Sequence, residues 1–365
     1  MIKKKVILIG DYSELNSKSM QNYALLYETV LKKKINIKLI NPPKILSNFH
    51  LSIGILKKWL GYIDNYLIFG FMLFFLTKKN DIVHICNHSN SLFYPFIRSK
   101  KILITCHDLI NIKRVFNLNN NNYPSLSLTG YIYQYLVIYF LKKFQLVICV
   151  SKNTQKELIK YLKFNKKKTI VINNSIDKQF MGIKKKPLKF KFKYFLHVGN
   201  NNFYKNKSGL IKIFNELIKY KKFINYKLIL AGKKNSKDIK NIINKFSLEK
   251  KVLNIVNPSF NKLARLYMGA EALIFPSHEE GFGIPLIEAQ YFECLVVTTN
   301  KMPMKEILGK SCIYINPKNL SKSAKLIYKN YYKKKKLIQL GKLNASNYYF
   351  DRISNKYLEL YKNIS

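Results

Sequence analysis

The chain has 365 residues, 48% of them hydrophobic, enough for two domains with buried cores and too apolar for disorder over most of its length. Lys and Arg number 65 against 19 Asp and Glu, a formal net charge of +46 that favours anionic partners. The excess is nearly all lysine, with arginine only at Arg98, Arg114, Arg265 and Arg352, so the forked side chains that read nucleic acid are scarce. An anionic membrane surface therefore ranks first as a charged partner, and nucleic acid is not expected. Lys, Asn, Ile, Tyr and Phe are abundant together and share A/T-rich codons, so genome composition is a competing source of the charge.

Along the chain, short apolar runs of strand type alternate with longer helical patterns. Met1–Lys5 leads straight into the first run without the features of a signal peptide. Strands are expected at Lys5–Ile9, Ile35–Ile40, Asp81–Cys86, Ile102–Thr105, Leu146–Val150 and Thr169–Ile172. The second half repeats the pattern at Tyr194–Val198, Lys227–Ala231, Val252–Val256, Ala272–Phe275, Val296–Thr299 and Ile313–Ile315. Helices are expected between them, for example at Met20–Lys33, Asn153–Leu162, Ser208–Tyr220 and Asn261–Met268. Such alternation predicts parallel sheets covered on both faces by crossover helices, an α/β class with two Rossmann-like domains. The irregular basic stretch Asp177–Lys193 contains Gly182 and Pro187 and separates the two series. The expected division is 1–180, a linker at 181–193, a second domain at 194–346, and a C-terminal helix within 347–365 that packs back toward the first domain.

The run Tyr66–Leu76 is well short of the roughly 20 residues a span needs, and Asp64 and Asn65 are expected to break it upstream. It reads as a buried or partly interfacial helix, as does Tyr131–Leu141. Cys86, Cys106, Cys149, Cys294 and Cys312 lie in or beside apolar runs and form no CxxC pair, which argues for buried thiols over a disulfide framework or a zinc site. No Asp-x-Asp occurs, and no metal site is expected.

The densest chemistry follows the strand Ala272–Phe275, in Pro276-Ser277-His278-Glu279-Glu280-Gly281-Phe282-Gly283-Ile284-Pro285-Leu286-Ile287-Glu288-Ala289. Pro285 fits a first helical turn, and Gly281 and Gly283 allow close backbone approach to a ligand. Amides around Phe282–Ile284 at a helix start would face a diphosphate. Glu280 in the loop and Glu288 in the expected first turn would reach sugar and ribose hydroxyls. Local physics alone leaves a plain strand–loop–helix corner equally open.

This stretch resembles the Glu-x7-Glu motif of the family 4 retaining glycosyltransferases. The similarity extends through Leu295–Thr299, Pro303, Glu306 and Gly309. It also covers His197-Val198-Gly199 with Tyr204-Lys205-Asn206, and Leu228–Lys233. In the first half it takes in Thr105–Leu109, Val150–Lys152 and Val171–Asp177. The resemblance implies the GT-B fold, two Rossmann-like domains with parallel sheets facing across a cleft. It further implies a metal-independent hexosyltransferase with no cofactor beyond a nucleotide-sugar co-substrate. Glu280 would contact the donor sugar, Glu288 the ribose, Lys205 the diphosphate, and His107 the transferred sugar. Gly199, Asn200, Gly281, Phe282, Gly283 and Ile284 would complete donor binding. Two departures stand out. Asn200 replaces a common arginine, leaving Lys205 as the expected neutralising cation, and Gly10-Asp11-Tyr12-Ser13 carries one glycine where the family often has several. Transfer to a glycan or lipid-linked acceptor in cell-envelope polysaccharide synthesis is the expected activity, in the cytoplasm and peripherally on the inner face of the membrane. A nucleotide-sugar epimerase and a non-catalytic nucleotide-sugar or polyanion binder stay open as alternatives.

Overall fold

Twelve short strands form in the order and nearly at the bounds the apolar runs predict. The computed structural model describes residues 5–13, 18–48, 55–116, 123–184 and 186–364, so residues 1–4 ahead of the first strand and the Lys58 side chain lie outside the described residues. Strands β1 (Val6–Ile9), β2 (Ile37–Ile40), β3 (Ile82–Ile85), β4 (Lys101–Cys106), β5 (Leu146–Cys149) and β6 (Thr169–Val171) make one parallel sheet in the order β2-β1-β3-β4-β5-β6. Strands β7 (Tyr194–Gly199), β8 (Lys227–Gly232), β9 (Val252–Val256), β10 (Ala272–Phe275), β11 (Val296–Thr299) and β12 (Ile313–Ile315) make a second, in the order β12-β11-β10-β7-β8-β9. The largely apolar strand sequences are explained by helices on both faces of each sheet. Both orders are doubly wound, and in such sheets the ligand crevice lies beyond the carboxyl ends of the strands where the order reverses. That point falls between β1 and β3 in the first sheet and between β7 and β10 in the second.

The chain divides into one unit of residues 1–173 with 351–365 and a second of 174–350. The division thus falls at Asn174, ahead of the expected linker, because residues 178–181 already form a short helix whose Phe180 packs on Phe260 and Phe292. The C-terminal helix Phe350–Ile364 buries Ile353, Tyr357 and Tyr361, a helical spacing that puts one face into the first unit. There the Tyr361 hydroxyl meets His84 Nδ1 at 2.7 Å, His84 Nε2 meets Thr105 Oγ1 at 2.7 Å, and the hydroxyls of Tyr23 and Tyr357 bond to each other. Each unit has its own apolar core, with Ile9, Ile85, Ile104 and Val147 in the first and Phe195, Leu230, Ile274 and Val297 in the second.

Asp64 and Asn65 do not break the helix before Tyr66. Residues 55–76 run as one helix through a π-turn at Ile63–Ile68. The Asp64 carboxylate accepts the amides of Ile45 (3.2 Å), Leu46 (2.8 Å) and Ser47 (2.9 Å) and the Tyr12 hydroxyl, so it needs no water. Burial alone would raise its pKa, but these donors hold it below the usual value. As a result Trp59–Leu76 is long and apolar enough to cross a membrane by length and composition, with only a third of it buried. All five cysteines are free and buried, and burial raises their thiols well above the ordinary range.

Candidate functional site

The site is built where β7 and β10 end. β7 closes at Gly199 beside Gly232 of β8, whose φ of +141° and whose contact with the Gly199 carbonyl leave no room for a side chain. Asn200 accepts the Asn202 amide at 3.0 Å and so folds back on its own loop. A turn at Phe203–Lys205 follows, and Asn206, at φ +54°, caps the helix Lys207–Leu217 by accepting the Gly209 amide. On the other side, the loop 276–283 leaves β10 and enters the helix Ile284–Tyr291. The two loops are tied together by His278 N to Tyr204 O at 2.8 Å and Asn206 Nδ2 to Pro276 O at 3.1 Å. β11 fixes the second loop through Thr298 to the Phe275 carbonyl and Thr299 to the Ser277 carbonyl.

This framework brings Lys205 and Glu280 together. Lys205 Nζ lies 2.8 and 2.9 Å from the two carboxylate oxygens of Glu280, over the Phe275 ring at 5.0 Å. Both side chains are largely buried, so the pair is a strong, poorly screened one. An anion entering here meets a cation already held in position, next to a carboxylate that can accept sugar hydroxyls. Gly283 starts the following helix at φ +97°, with no side chain capping the first amides and with Pro285 in the first turn. Phe282 is buried against Tyr348. Gly281 and Ile284 are half-buried on either side of that turn.

Glu288 corrects the sequence reading in one respect. The helix begins at Ile284, so Glu288 falls beyond its first turn and is not a dipole-stabilising acid there. It is buried, and Tyr267 donates to its Oε2 at 2.8 Å. Burial raises its pKa to about 7, with Asp177 adding to the rise and the Tyr267 bond opposing it.

Two partners had no motif to reveal them. Tyr267 lies on the helix Phe260–Gly269, stacked on Phe292, and reads from sequence as a core aromatic. Lys207, one lysine among many, is buried, bonds Asn201 Oδ1 at 2.8 Å, and has its pKa lowered by burial to about 8. Together with Lys205 it bears electrostatically on His197, the buried ring beneath Gly199. The β7 end therefore carries a second lysine besides Lys205.

His107 belongs to the first unit, just past the end of β4. Its Nε2 is 2.8 Å from the Cys86 carbonyl and its Nδ1 has no hydrogen-bond partner among the described residues. Donation to that carbonyl makes Nδ1 a bare acceptor, and burial lowers the pKa to about 4, so the ring is neutral at pH 7. The single-glycine loop after β1 is closed by its own acid: Asp11 is buried and accepts Asn87 Nδ2 at 3.0 Å and Asn90 Nδ2 at 2.8 Å. Among the described residues no group of three or more His, Cys, Asp or Glu could hold a metal ion.

Two doubly wound parallel units, with a lysine–glutamate pair at the switch point of the second, define the GT-B class of protein. Residues 180–344 match the family model of glycosyl transferases group 1, and residues 47–180 match that of glycosyltransferase family 4. Glycosyltransferase family models thus match consecutive stretches of the chain on either side of residue 180. It is 29% identical to an O-antigen chain mannosyltransferase of Salmonella typhimurium over 224 residues, 60% of this chain and 62% of that one. It is 30% identical over 193 residues to an N-acetylgalactosamine-N,N'-diacetylbacillosaminyl-diphospho-undecaprenol 4-alpha-N-acetylgalactosaminyltransferase of Campylobacter jejuni, 52% of this chain and 49% of the relative. The chain thus matches less than two thirds of the length of either relative. Its fold matches that of a sucrose-phosphate synthase from Thermosynechococcus elongatus with a TM-score of 0.77, at 14% identity over 99% of each chain.

Proposed function

We propose that the protein transfers a sugar, with retention at the anomeric carbon, from a nucleotide-diphosphate sugar to a glycan or lipid-linked acceptor of the cell envelope. The observation that carries this reading is the Lys205–Glu280 pair at the crevice end of β7 and β10. Lys205 and the uncapped amides after Gly283 receive the diphosphate and stabilise the charge that develops as it leaves. Glu280 accepts hydroxyls of the donor sugar, and Glu288, fixed by Tyr267, accepts those of the ribose. The acceptor hydroxyl attacks on the face the diphosphate leaves, and a departing phosphate oxygen takes its proton, so the C–O bond broken and the one formed share a face. Two lysines supply the positive charge for the leaving group, and the reaction needs no metal. The test is a screen of nucleotide sugars against envelope lipid extracts, with product stereochemistry read by NMR and with a chelator present. Nucleoside-diphosphate release that persists in chelator and gives the retained anomer is expected. Release that stops in chelator would overturn metal independence.

The enzyme works at an anionic membrane surface on the inner face of the membrane, docked through its first unit. Leu56, Trp59, Ile63, Leu67, Phe71 and Phe75 form an exposed stripe at helical spacing, with Phe71 and Phe75 each 65% exposed. Leu128, Ile132, Tyr135 and Tyr139 form a second on the helix Leu128–Leu141. Exposed lysine pairs follow both stripes, Lys78-Lys79 and Lys142-Lys143. Arg98 lies over Phe74 and Lys143 over Tyr139, cations placed to reach headgroups above apolar rings. Each lysine near an acidic leaflet contributes about 1 kcal/mol. Co-sedimentation with anionic vesicles that weakens along a salt series is expected, and binding that needs no anionic lipid would overturn the electrostatic part.

A further inference from the structure

The first unit carries a cavity that the donor chemistry does not use. It has a volume of about 610 Å³, within the range of small-molecule sites, and is lined by Trp59, Tyr62, Tyr66, Thr129, Gly130 and Tyr133. Its wall is a run of ring contacts: Trp59 on Tyr62 at 5.9 Å, Tyr62 stacked on Tyr66 at 6.3 Å, and Tyr66 on Tyr133 at 6.1 Å. The π-turn sets this wall, since it carries Tyr66 and is pinned by the Asp64 carboxylate.

Several polar atoms around the cavity are already engaged. Tyr66 and Tyr133 share a hydroxyl bond at 2.9 Å, and Tyr133 donates to the Ser89 carbonyl at 2.9 Å. The Ser127 hydroxyl accepts the Gly130 amide and pairs with Thr129 Oγ1. Burial raises Tyr133 to about 12 and Tyr66 well above its usual value, so both phenols stay neutral. The lining that remains is mostly ring surface and offers few further hydrogen-bonding groups. A hydrocarbon needs none. Trp59 is 54% exposed and belongs both to the cavity and to the exposed stripe of residues 55–76, so the cavity opens onto the apolar surface described above. Exposed lysines at Lys57 and beyond the stripe at Lys78-Lys79 complement an anionic headgroup.

We propose that this aromatic cavity binds the hydrocarbon tail of a lipid-linked acceptor. The proposal rests on the glycosyltransferase reading and narrows its acceptor to an amphiphile carrying a phosphate or diphosphate on a long apolar chain. A bounded cavity suits a single tail drawn from the bilayer, whereas the exposed stripes suit the bilayer itself.

Trp59 is the one tryptophan in the chain, so its emission reports occupancy directly. The experiment titrates the full-length protein with farnesyl diphosphate below its micelle concentration. Inorganic diphosphate, a methyl glycoside and neutral phosphatidylcholine vesicles serve as separate arms. Acrylamide quenching is read throughout, and nucleoside-diphosphate binding is measured by calorimetry in the same samples. A saturable blue shift with protection from acrylamide is expected for farnesyl diphosphate alone. Thr129→Phe, at an exposed position that a ring would turn into the cavity, weakens that response by about tenfold or more, 1.4 kcal/mol. The proposal is overturned if Trp59 is already shielded in the free protein, if the methyl glycoside gives the shift, or if Thr129→Phe leaves it unchanged. An equal response to neutral vesicles in both proteins also overturns it. Normal nucleotide binding with a silent Trp59 sinks the tail site and leaves the transferase reading standing. The reverse pattern keeps the hydrocarbon site and sinks the transferase reading.

Discussion

Lys205 and Glu280 neutralise each other before any donor arrives, and this sets what a substitution at either will do. Glu280→Gln keeps the size of the side chain but removes the negative charge beside Lys205. Nucleoside-diphosphate binding therefore tightens while transfer is largely lost, a split that calorimetry and a turnover assay resolve. Equal loss of both would mean that Glu280 only holds Lys205 in place. Lys205→Ala strands a buried carboxylate, and breaking such a pair costs on the order of 3–5 kcal/mol, so lower thermal stability accompanies weaker binding. At this scale the sequence was legible in placing Lys205 and Glu280 in the loops after β7 and β10, which the fold brings together. It was silent on Lys207, because burial and the bond to Asn201 distinguish that lysine and composition does not.

The helix Ile284–Tyr291 shows how an element tunes a residue it carries. Packing it on the helix Phe260–Gly269 buries Glu288 against Tyr267, and burial brings its pKa to about 7. The sign is that of a raised acid: the charged form, which in the proposed function accepts ribose hydroxyls, dominates only above about pH 7. Donor affinity is therefore expected to rise as pH increases through 7. Tyr267→Phe removes a bond that favours the charged form, so the midpoint moves to higher pH. An unmoved midpoint, followed by KM against pH, would show that Glu288 does not set it. For stability the same shift favours the fold at low pH and is lost as pH rises through about 7. The twelve strands among the described residues were legible because apolar runs of three to six residues bounded by turns have few other uses. The π-turn was not, since an Asp-Asn pair in an apolar run reads as a break unless its partners, here the amides of Ile45–Ser47, are known.

At the scale of the whole molecule, the net charge of +46 was visible at once, but its arrangement was not. Only the fold shows two exposed apolar stripes, each followed by lysines, in the first unit. It also shows a chain path that leaves that unit after Asn173 and returns to it at Asp351. The second unit's two ends meet, with the Ile176 amide bonded to the Tyr348 carbonyl at 2.9 Å. The second unit is therefore an insertion: a self-contained cassette spliced into a host whose final helix is contributed from downstream. A gene segment encoding residues 174–350 is expected to yield a protein that folds alone and binds nucleoside diphosphates, because its core and the Lys205–Glu280 pair lie wholly within it. A stop codon placed before Asp351 would spare that cassette and strip the host of Ile353, Tyr357 and Tyr361, each worth roughly 1.5–3 kcal/mol of burial. Removal of residues 351–365 is thus expected to unfold the unit of residues 1–173, which limited proteolysis would register as loss of that fragment alone.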